Sequence, residues 1–229
     1  MLSISFMPGF DSFNAHCLAA EDSTTPSIHW RADTTGKYLE DDEVQSLICV
    51  EATSLNKVHV LMYEKSTENE KTVWTNTLDC DGIIGLNGLG KTKEGDSKTP
   101  IGDFGIIEAF GIKENPGTAL PYVDVTDDIY CCGDETAYNQ IIDITEYPHD
   151  CPDGEHMIEY SPEYNYGFFL DYNKECTPGL GSAIFFHCKG ANTYTGGCIA
   201  VDEKDMLQML QIIDENTRVI IDYAPDYAE

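Results

Sequence analysis

The sequence predicts a mostly-β fold, a β-sandwich with mixed sheets and one main helix near the C-terminus. Short runs of β-branched and aromatic residues recur along the chain, and such residues favour strands. The connections between these runs are rich in Gly, Asn and Ser, as in a protein built from many short strands. Only the segment 202–216 repeats its apolar residues at helical spacing. The chain has 229 residues, which is enough for one large domain with a substantial buried core.

The first part of the chain differs in composition from the rest. Residues 1–43 are rich in Ser, Thr and Asp, have few periodic apolar positions and end in four consecutive acidic residues. We therefore predict that 1–43 is an acidic extension, loosely attached through Ile28 and Trp30, and that the domain proper spans 44–229. The N-terminus lacks the positive segment of a signal peptide, and Pro and Gly interrupt its apolar patch, so a signal peptide is not convincing.

The domain begins with three runs that predict an antiparallel meander, at 47–50, 57–64 and 71–78. Further strands are predicted at 101–110, 138–143, 164–172, 183–186 and 218–223. The segment 116–128 is predicted to be a loop. The helix over 202–216 begins at Asp202 as its N-cap, with Asp205 in an imperfect capping box. Its apolar face consists of Met206, Leu207, Leu210 and Ile213.

A candidate nucleophile and a candidate base lie close together near the end of the chain. The apolar strand 183–186 is followed directly by His187, and a second β-prone run, 195–201, contains Cys198. Adjacent strand ends lie about 5 Å apart, so the thiol and the imidazole can come within hydrogen-bonding reach. A neighbouring imidazole that accepts the thiol proton is what cysteine nucleophiles require. The alternative interpretation is a buried structural thiol.

Residues beside Cys198 have the properties of an acyl-transfer site. Gly196 and Gly197 let the backbone approach a ligand closely and turn amide groups towards an oxyanion. Thr195 is a candidate for substrate binding, and so is Tyr166, because one side of its aromatic strand is expected to face the cleft.

Several motifs together resemble the L,D-transpeptidase catalytic domain, also called the YkuD domain. They are His187, the T-x-G-C-I pattern at 195–199, the GKTKEGDSKTPIGDF segment at 90–104 and the GSAIF segment at 181–185. The resemblance extends from about Val44 to Asp222, in the order expected for the family.

The resemblance implies acyl transfer on peptidoglycan stem peptides through a thioester. Cys198 would attack a tetrapeptide stem, His187 would transfer protons, and the amine of a second stem would release the product. No metal and no organic cofactor is implied, and the expected location is extracytoplasmic, in the cell wall or periplasm. Many members carry His where Gly196 stands, and Arg or Asn where Ala200 stands. These differences keep open an inactive wall-binding domain as one alternative. The other alternative is a carboxypeptidase or endopeptidase, because the same site could use water as acceptor.

The glycine-rich segment 82–105 contains three lysines in a very acidic chain, Lys91, Lys93 and Lys98. One interpretation is that they face an anionic substrate, and the other, which we favour, is that they are solvated charges on a loop. The segment 85–92 formally matches a phosphate-binding loop, but no helical pattern follows it, so we do not predict a nucleotide site.

The charge balance excludes nucleic acid as a partner. The chain has 41 acidic and 13 basic residues, for a net charge of −28, and phosphate neutralisation requires Lys and Arg clusters. No apolar run of transmembrane length is present. Nine cysteines leave eight besides Cys198, and we expect most of these to be free thiols. Cysteines and histidines near 131–156 match no known metal motif, so we predict no metal site there.

Overall fold

The structure is a computed structural model that describes residues 32–147, 151–225 and 227. Its helices are α1 (Ala32–Leu39) and α2 (Glu203–Leu210), with short 3-10 turns at Met157–Glu159 and Glu163–Asn165. Its strands are β1 (Ser46–Ser54), β2 (Lys57–Glu68), β3 (Lys71–Ile83), β4 (Gly102–Phe104), β5 (Ile106–Gly111), β6 (Tyr122–Asp124), β7 (Ile129–Cys132), β8 (Gln140–Asp143), β9 (Glu155–His156), β10 (Gly167–Leu170), β11 (Phe185–Cys188), β12 (Ile199–Val201) and β13 (Arg218–Tyr223).

Ten of these strands form one mixed sheet in the order β4-β13-β1-β2-β3-β12-β11-β10-β5-β6. The predicted meander is present, since β1, β2 and β3 pair antiparallel in sequence order. Three pairs are parallel, namely β1 with β13, β11 with β12, and β5 with β6. The order β8-β7-β9 forms a second, antiparallel sheet. The predicted mostly-β class with mixed sheets and a helix near the C-terminus is therefore confirmed.

The main core joins strands that are far apart in the sheet order. Met62 on β2, Phe186 on β11 and Val219 on β13 are fully buried in one apolar cluster, which also contains Met206 of α2. Burial of these side chains stabilises the fold by about 25 cal/mol for each Å² of apolar surface removed from water. Strands from both halves of the sheet thus cover the same core, and β11 and β12 lie in the middle of the sheet.

Helix α2 is shorter than the sequence predicts. It ends at Leu210 rather than near residue 216, and the face it buries contains Met209, whereas Leu207 is only partly buried. Beyond it, Thr217 donates its hydroxyl to the Asp214 carboxylate and accepts from the Asp214 amide. Such local side-chain bonds compete with helical ones, so the segment 214–217 forms a turn instead of a continuation of the helix. Asp202 is the N-cap, but its side chain makes no capping bond.

Helix α1 lies within the segment predicted to be an extension. Tyr38 on this helix is buried and donates to the Asp103 carboxylate at 2.7 Å. Trp74 of β3 donates to the carbonyl of Thr35 at 3.1 Å. The C-terminal part of the segment is therefore packed on the sheet. Ile28 and Trp30 lie outside the described residues, and the division at residue 44 stays a prediction.

The second sheet and β6 are features that the sequence analysis missed. Strand β6 lies in the predicted loop 116–128, and β7 and β9 were not predicted at all. None of the helices in the described residues is long and apolar enough to cross a membrane. The eight cysteines in these residues are all thiols.

Candidate active site

The predicted nucleophile and base line the same pocket. This pocket has a volume of about 730 Å³, and Cys198, His187, Thr195, Gly196 and Gly197 all contribute to its wall. The parallel pairing of β11 with β12 explains the juxtaposition, because Phe186 is opposite Ile199. His187 therefore follows that pair on one strand, while Cys198 precedes it on the other.

The Cys198 thiol is held by the backbone of the strand beside it. Its Sγ donates to the carbonyl of Ala183 at 3.1 Å and accepts from the amide of Phe185 at 3.4 Å. Burial raises the pKa of this thiol to about 12, with a further upward contribution from Glu155, while the Phe185 amide and Lys91 act in the opposite direction. The thiol is therefore neutral near pH 7 in this structure.

The His187 imidazole is buried, with 7% of its surface exposed. Its Nδ1 lies 2.7 Å from the carbonyl oxygen of Cys188. Because a carbonyl only accepts, Nδ1 carries the proton and Nε2 is left with a free electron pair. Burial lowers the pKa of His187, so the ring is neutral and able to accept a proton. The Tyr164 ring packs against it edge to face, with ring centres 5.5 Å apart.

Thr195 and Gly197 shape the backbone that carries Cys198. The Thr195 hydroxyl donates to the Cys198 carbonyl at 2.7 Å and accepts from the Gly197 amide at 3.1 Å. The Gly197 amide is therefore occupied in this structure, although the sequence analysis predicted that it faces an oxyanion. Gly197 has φ +152°, a region that favours glycine, and this conformation orients Cys198.

A buried threonine connects the glycine-rich segment to this loop. Thr99 is fully buried, donates to the Gly197 carbonyl at 2.7 Å and accepts from the Gly85 amide at 3.0 Å. Thr99 therefore positions the loop before Cys198, and this role explains why the segment 90–104 contributes to the site.

The chain also matches a known protein family. The family model of the L,D-transpeptidase catalytic domain, YkuD, matches residues 48–221. The chain belongs to this family. None of the curated proteins compared with the chain matches it.

Two solved structures are similar to the chain. One is the Ldtfm-avibactam carbamoyl enzyme, at 12% identity and a TM-score of 0.36, where the similarity covers 80% of this chain and 50% of that one. The other is an L,D-transpeptidase (Yku) from Stackebrandtia nassauensis, at 12% identity and a TM-score of 0.31, with 80% and 58% covered. The chain thus spans about half the length of these two proteins.

Lys91 has a different environment from the solvated loop that we favoured for this family segment. Its side chain is 2% exposed and its Nζ lies 3.0 Å from Asp96 Oδ1, so the solvated interpretation is wrong for this lysine. The aliphatic part of the Lys91 side chain crosses Gly181, where an added Cβ would lie 2.4 Å from the Lys91 Cε. The ammonium ends beside Gly197 and lowers the pKa of Cys198. A positive charge therefore lies close to the thiol.

An acidic wall faces the thiol from the second sheet. Glu155 on β9 lines the pocket and accepts a hydrogen bond from the Tyr164 hydroxyl. Burial raises the pKa of this carboxyl group. Cys131 on the neighbouring strand β7 also lines the pocket. The sequence pattern does not single out Glu155, because its approach to Cys198 depends on a sheet that was not predicted.

Asn139 fixes the backbone of Ala183, whose carbonyl accepts a hydrogen bond from the Cys198 thiol. Its side chain accepts from the Ala183 amide at 2.9 Å and donates to the carbonyls of Tyr172 and Asn173 at 3.1 Å each. Ala183 has φ +53°, which costs a non-glycine residue energy and requires such support. A buried Asn, 3% exposed, had no signal in the sequence that set it apart from a strand residue.

Two other residues considered from the sequence, Tyr166 and Ala200, have clear locations. Tyr166 is not among the residues that line the pocket, and its ring lies 5.7 Å from the Lys113 ammonium. Its predicted contact with substrate therefore stays a prediction without support from its position. Ala200 is buried on β12 and lines the pocket.

Proposed function

We propose that the chain is a cysteine acyltransferase of the L,D-transpeptidase type, acting on peptidoglycan stem peptides outside the cytoplasm. The observation that carries the proposal is that a thiol and a neutral imidazole with a free Nε2 line one pocket, in a chain of this catalytic family. The substrate class and the location come from the family.

The first step forms a thioester. The Cys198 sulfur attacks the carbonyl carbon of the donor stem, and its proton passes to Nε2 of His187. A C–S bond forms while the carbonyl oxygen becomes an oxyanion. The C–N bond then breaks, and the imidazolium gives its proton to the departing amine. The enzyme is left as an acyl thioester with a neutral imidazole.

The second step releases the product. The amine of an acceptor stem attacks the thioester carbonyl, and His187 accepts a proton from that amine. The C–S bond breaks, the new amide is released, and the proton returns to the Cys198 sulfur. Water in place of the amine would give a trimmed stem through the same steps.

Charge on the oxyanion is balanced by groups around the thiol. The Gly197 amide donates to Thr195, so we assign the oxyanion contacts to the amides of Gly196 and Cys198. The Lys91 ammonium beside Gly197 adds a positive charge at the same end of the pocket. Glu155 also lines the pocket, and an acidic group there is suited to an incoming amine.

Intact-mass measurement with a carbapenem tests the nucleophile. A β-lactam carbonyl should acylate the wild-type protein, and Cys198→Ala should abolish the adduct. Cys176→Ala is the matched control, since that thiol is partly exposed but does not line the pocket, and its adduct should match the wild type. An adduct that persists in Cys198→Ala would overturn the assignment.

Defined muropeptides then separate the possible reactions. A cross-linked product from a tetrapeptide donor and an amine acceptor supports the transferase, and a trimmed stem without cross-links identifies the water-dependent alternative. Binding of stems with neither product nor adduct would overturn the enzyme assignment in favour of an inactive wall-binding domain.

A further inference from the structure

A second group of reactive side chains lies outside the pocket. Cys132, Asp134 and Cys151 each present one ligand atom, and these three atoms lie within 4.8 Å of one another. Both cysteines are buried, with 1% and 3% of their surfaces exposed. No metal is predicted here from the sequence, because the cysteines and histidines near 131–156 match no known metal motif. Cys132 and Asp134 lie 19 and 17 residues before Cys151.

The backbone brings the two segments together closely. An added Cβ on Gly133 would lie 2.2 Å from the carbonyl oxygen of Asp153, so only glycine permits this approach. The turn after Cys151 is closed by the Gly154 amide, which donates to the Cys151 carbonyl at 2.9 Å. The two thiols are therefore held in place by main chain rather than by flexible side chains alone.

The third ligand is also oriented. Asp134 Oδ1 accepts from the Thr136 amide at 3.0 Å, and Oδ2 lies 3.2 Å from the Cys132 sulfur. In a tetrahedral zinc site, with metal–sulfur and metal–oxygen distances of about 2.3 and 2.0 Å, sulfur and oxygen ligands are about 3.5 Å apart. The observed separation is close to that value.

From this geometry we infer that Cys132, Asp134 and Cys151 form a site for one thiophilic divalent cation such as Zn²⁺. Binding converts two thiols to thiolates and releases two protons to solvent, and a water molecule completes the coordination. The two thiolates and the carboxylate carry a total charge of −3, which the cation reduces to −1. The ligand set of two sulfurs and one oxygen excludes Mg²⁺ and Ca²⁺, which take oxygen ligands.

The site would stabilise one wall of the pocket. Cys131 precedes Cys132 on β7 and points to the opposite side, into the pocket, because side chains alternate along a strand. Glu155, which also lines the pocket, is four residues after Cys151. A bound cation thus connects the two segments that supply this wall, without a direct part in acyl transfer.

Cobalt absorption tests the site on the full chain. The protein is reduced, freed of reductant under nitrogen and titrated with Co²⁺, and we expect one equivalent to give thiolate-to-cobalt charge-transfer absorption that Zn²⁺ abolishes. Cys132→Ser and Cys151→Ser should each remove the absorption, and Asp134→Asn should weaken binding at least about 10-fold. Because a variant without this absorption has no cobalt–thiolate bond, proton release, followed with an indicator, should fall from two protons in the wild type to none in either Ser variant.

Two controls keep the result specific. Cys176→Ser should bind cobalt as the wild type does, and Cys198→Ala should do so as well, since neither thiol belongs to the site. Absence of the band in the reduced wild type would overturn the inference, and so would a band lost in Cys198→Ala, because the metal would then lie in the pocket. These readouts do not involve acyl transfer, so they stand or fall independently of the proposed activity.

Discussion

Replacing Gly197 by Ala is expected to destabilise the protein, whereas the same change at Gly196 is not. Gly197 has φ +152°, which side-chain-bearing residues rarely adopt. An added Cβ would lie 2.9 Å from the carbonyl oxygen of Lys98 and 3.3 Å from Cδ1 of Ile184. The carbonyl belongs to the backbone and cannot rotate away, so the loop before Cys198 must shift.

The size of the effect follows from these two causes. A residue held in a sparsely populated φ/ψ region costs about 1–3 kcal/mol. The compressed contact adds about 1 kcal/mol or more, as in overpacked interiors. We therefore expect Gly197→Ala to lose about 2–4 kcal/mol of unfolding free energy, out of a total of about 5–15 kcal/mol for a domain.

Gly196 provides the matched control. No heavy atom lies within 4 Å of a Cβ added there, and its φ lies outside the positive region. Alanine at such a position restricts the unfolded chain and stabilises by about 0.4–1 kcal/mol. The two substitutions are thus expected to change stability in opposite directions.

Urea denaturation of the wild type and both variants, followed by far-UV circular dichroism, measures the difference. The slopes should agree, so that the midpoints report stability. The rate of Cys198 alkylation by iodoacetamide provides a second readout for the shifted loop in Gly197→Ala. The reasoning is refuted if Gly197→Ala unfolds within about 0.5 kcal/mol of the wild type, or if Gly196→Ala loses as much.

Three further predictions concern side chains around the pocket. Thr99→Val should lower the unfolding free energy measured with urea by about 1–3 kcal/mol, because the Thr99 hydroxyl makes two buried hydrogen bonds. Thr99→Ser keeps the hydroxyl and should lose much less, so equal losses in the two variants would contradict this prediction. The pKa of His187 is lowered, so below about pH 6.5 the unfolded chain binds a proton that the folded ring does not. Stability should therefore fall on acidification to about pH 5 more steeply in the wild type than in His187→Gln, and parallel curves would exclude the effect. Lys91→Met should destabilise by about 3 kcal/mol, since it leaves Asp96 without its buried partner, and should slow alkylation of Cys198; an unchanged alkylation rate would remove the lysine from the site.

Much of the fold was predictable from local pattern. Strands β1 to β3, β11 and β13 lie where β-branched and aromatic runs predict them, because these strands are buried in the main core. The second sheet was not predictable in the same way. Strand β9 has only two residues, and β7 contains adjacent cysteines that face different clusters, so neither has a periodic signal.

The residues of the site likewise fall into those that the local sequence predicts and those that it does not. Cys198 and His187 were predicted because both their chemistry and their spacing are visible in one 12-residue stretch. The environment of Lys91 was not, because its burial depends on the missing side chain of Gly181, 90 residues away. The contribution of Glu155 likewise depends on the pairing of β9 with β7, opposite Cys131. Contacts of this kind are set by tertiary packing and have no local sequence pattern.

The neutral state of the site bears on how it would discriminate between substrates. Burial raises the pKa of the Cys198 thiol to about 12 and lowers that of His187, so no thiolate–imidazolium pair exists before substrate binds. A small alkylating reagent brings no group that stabilises the charged pair, and its reaction should be slow. In the proposed mechanism, a stem carbonyl placed against the amides of Gly196 and Cys198 would let charge develop on an oxygen beside Lys91, and the ammonium would stabilise that charge. We therefore expect an active enzyme with this site to react fast with an acyl donor and slowly with iodoacetamide. A scaffold that kept the fold without the chemistry would be unreactive towards both.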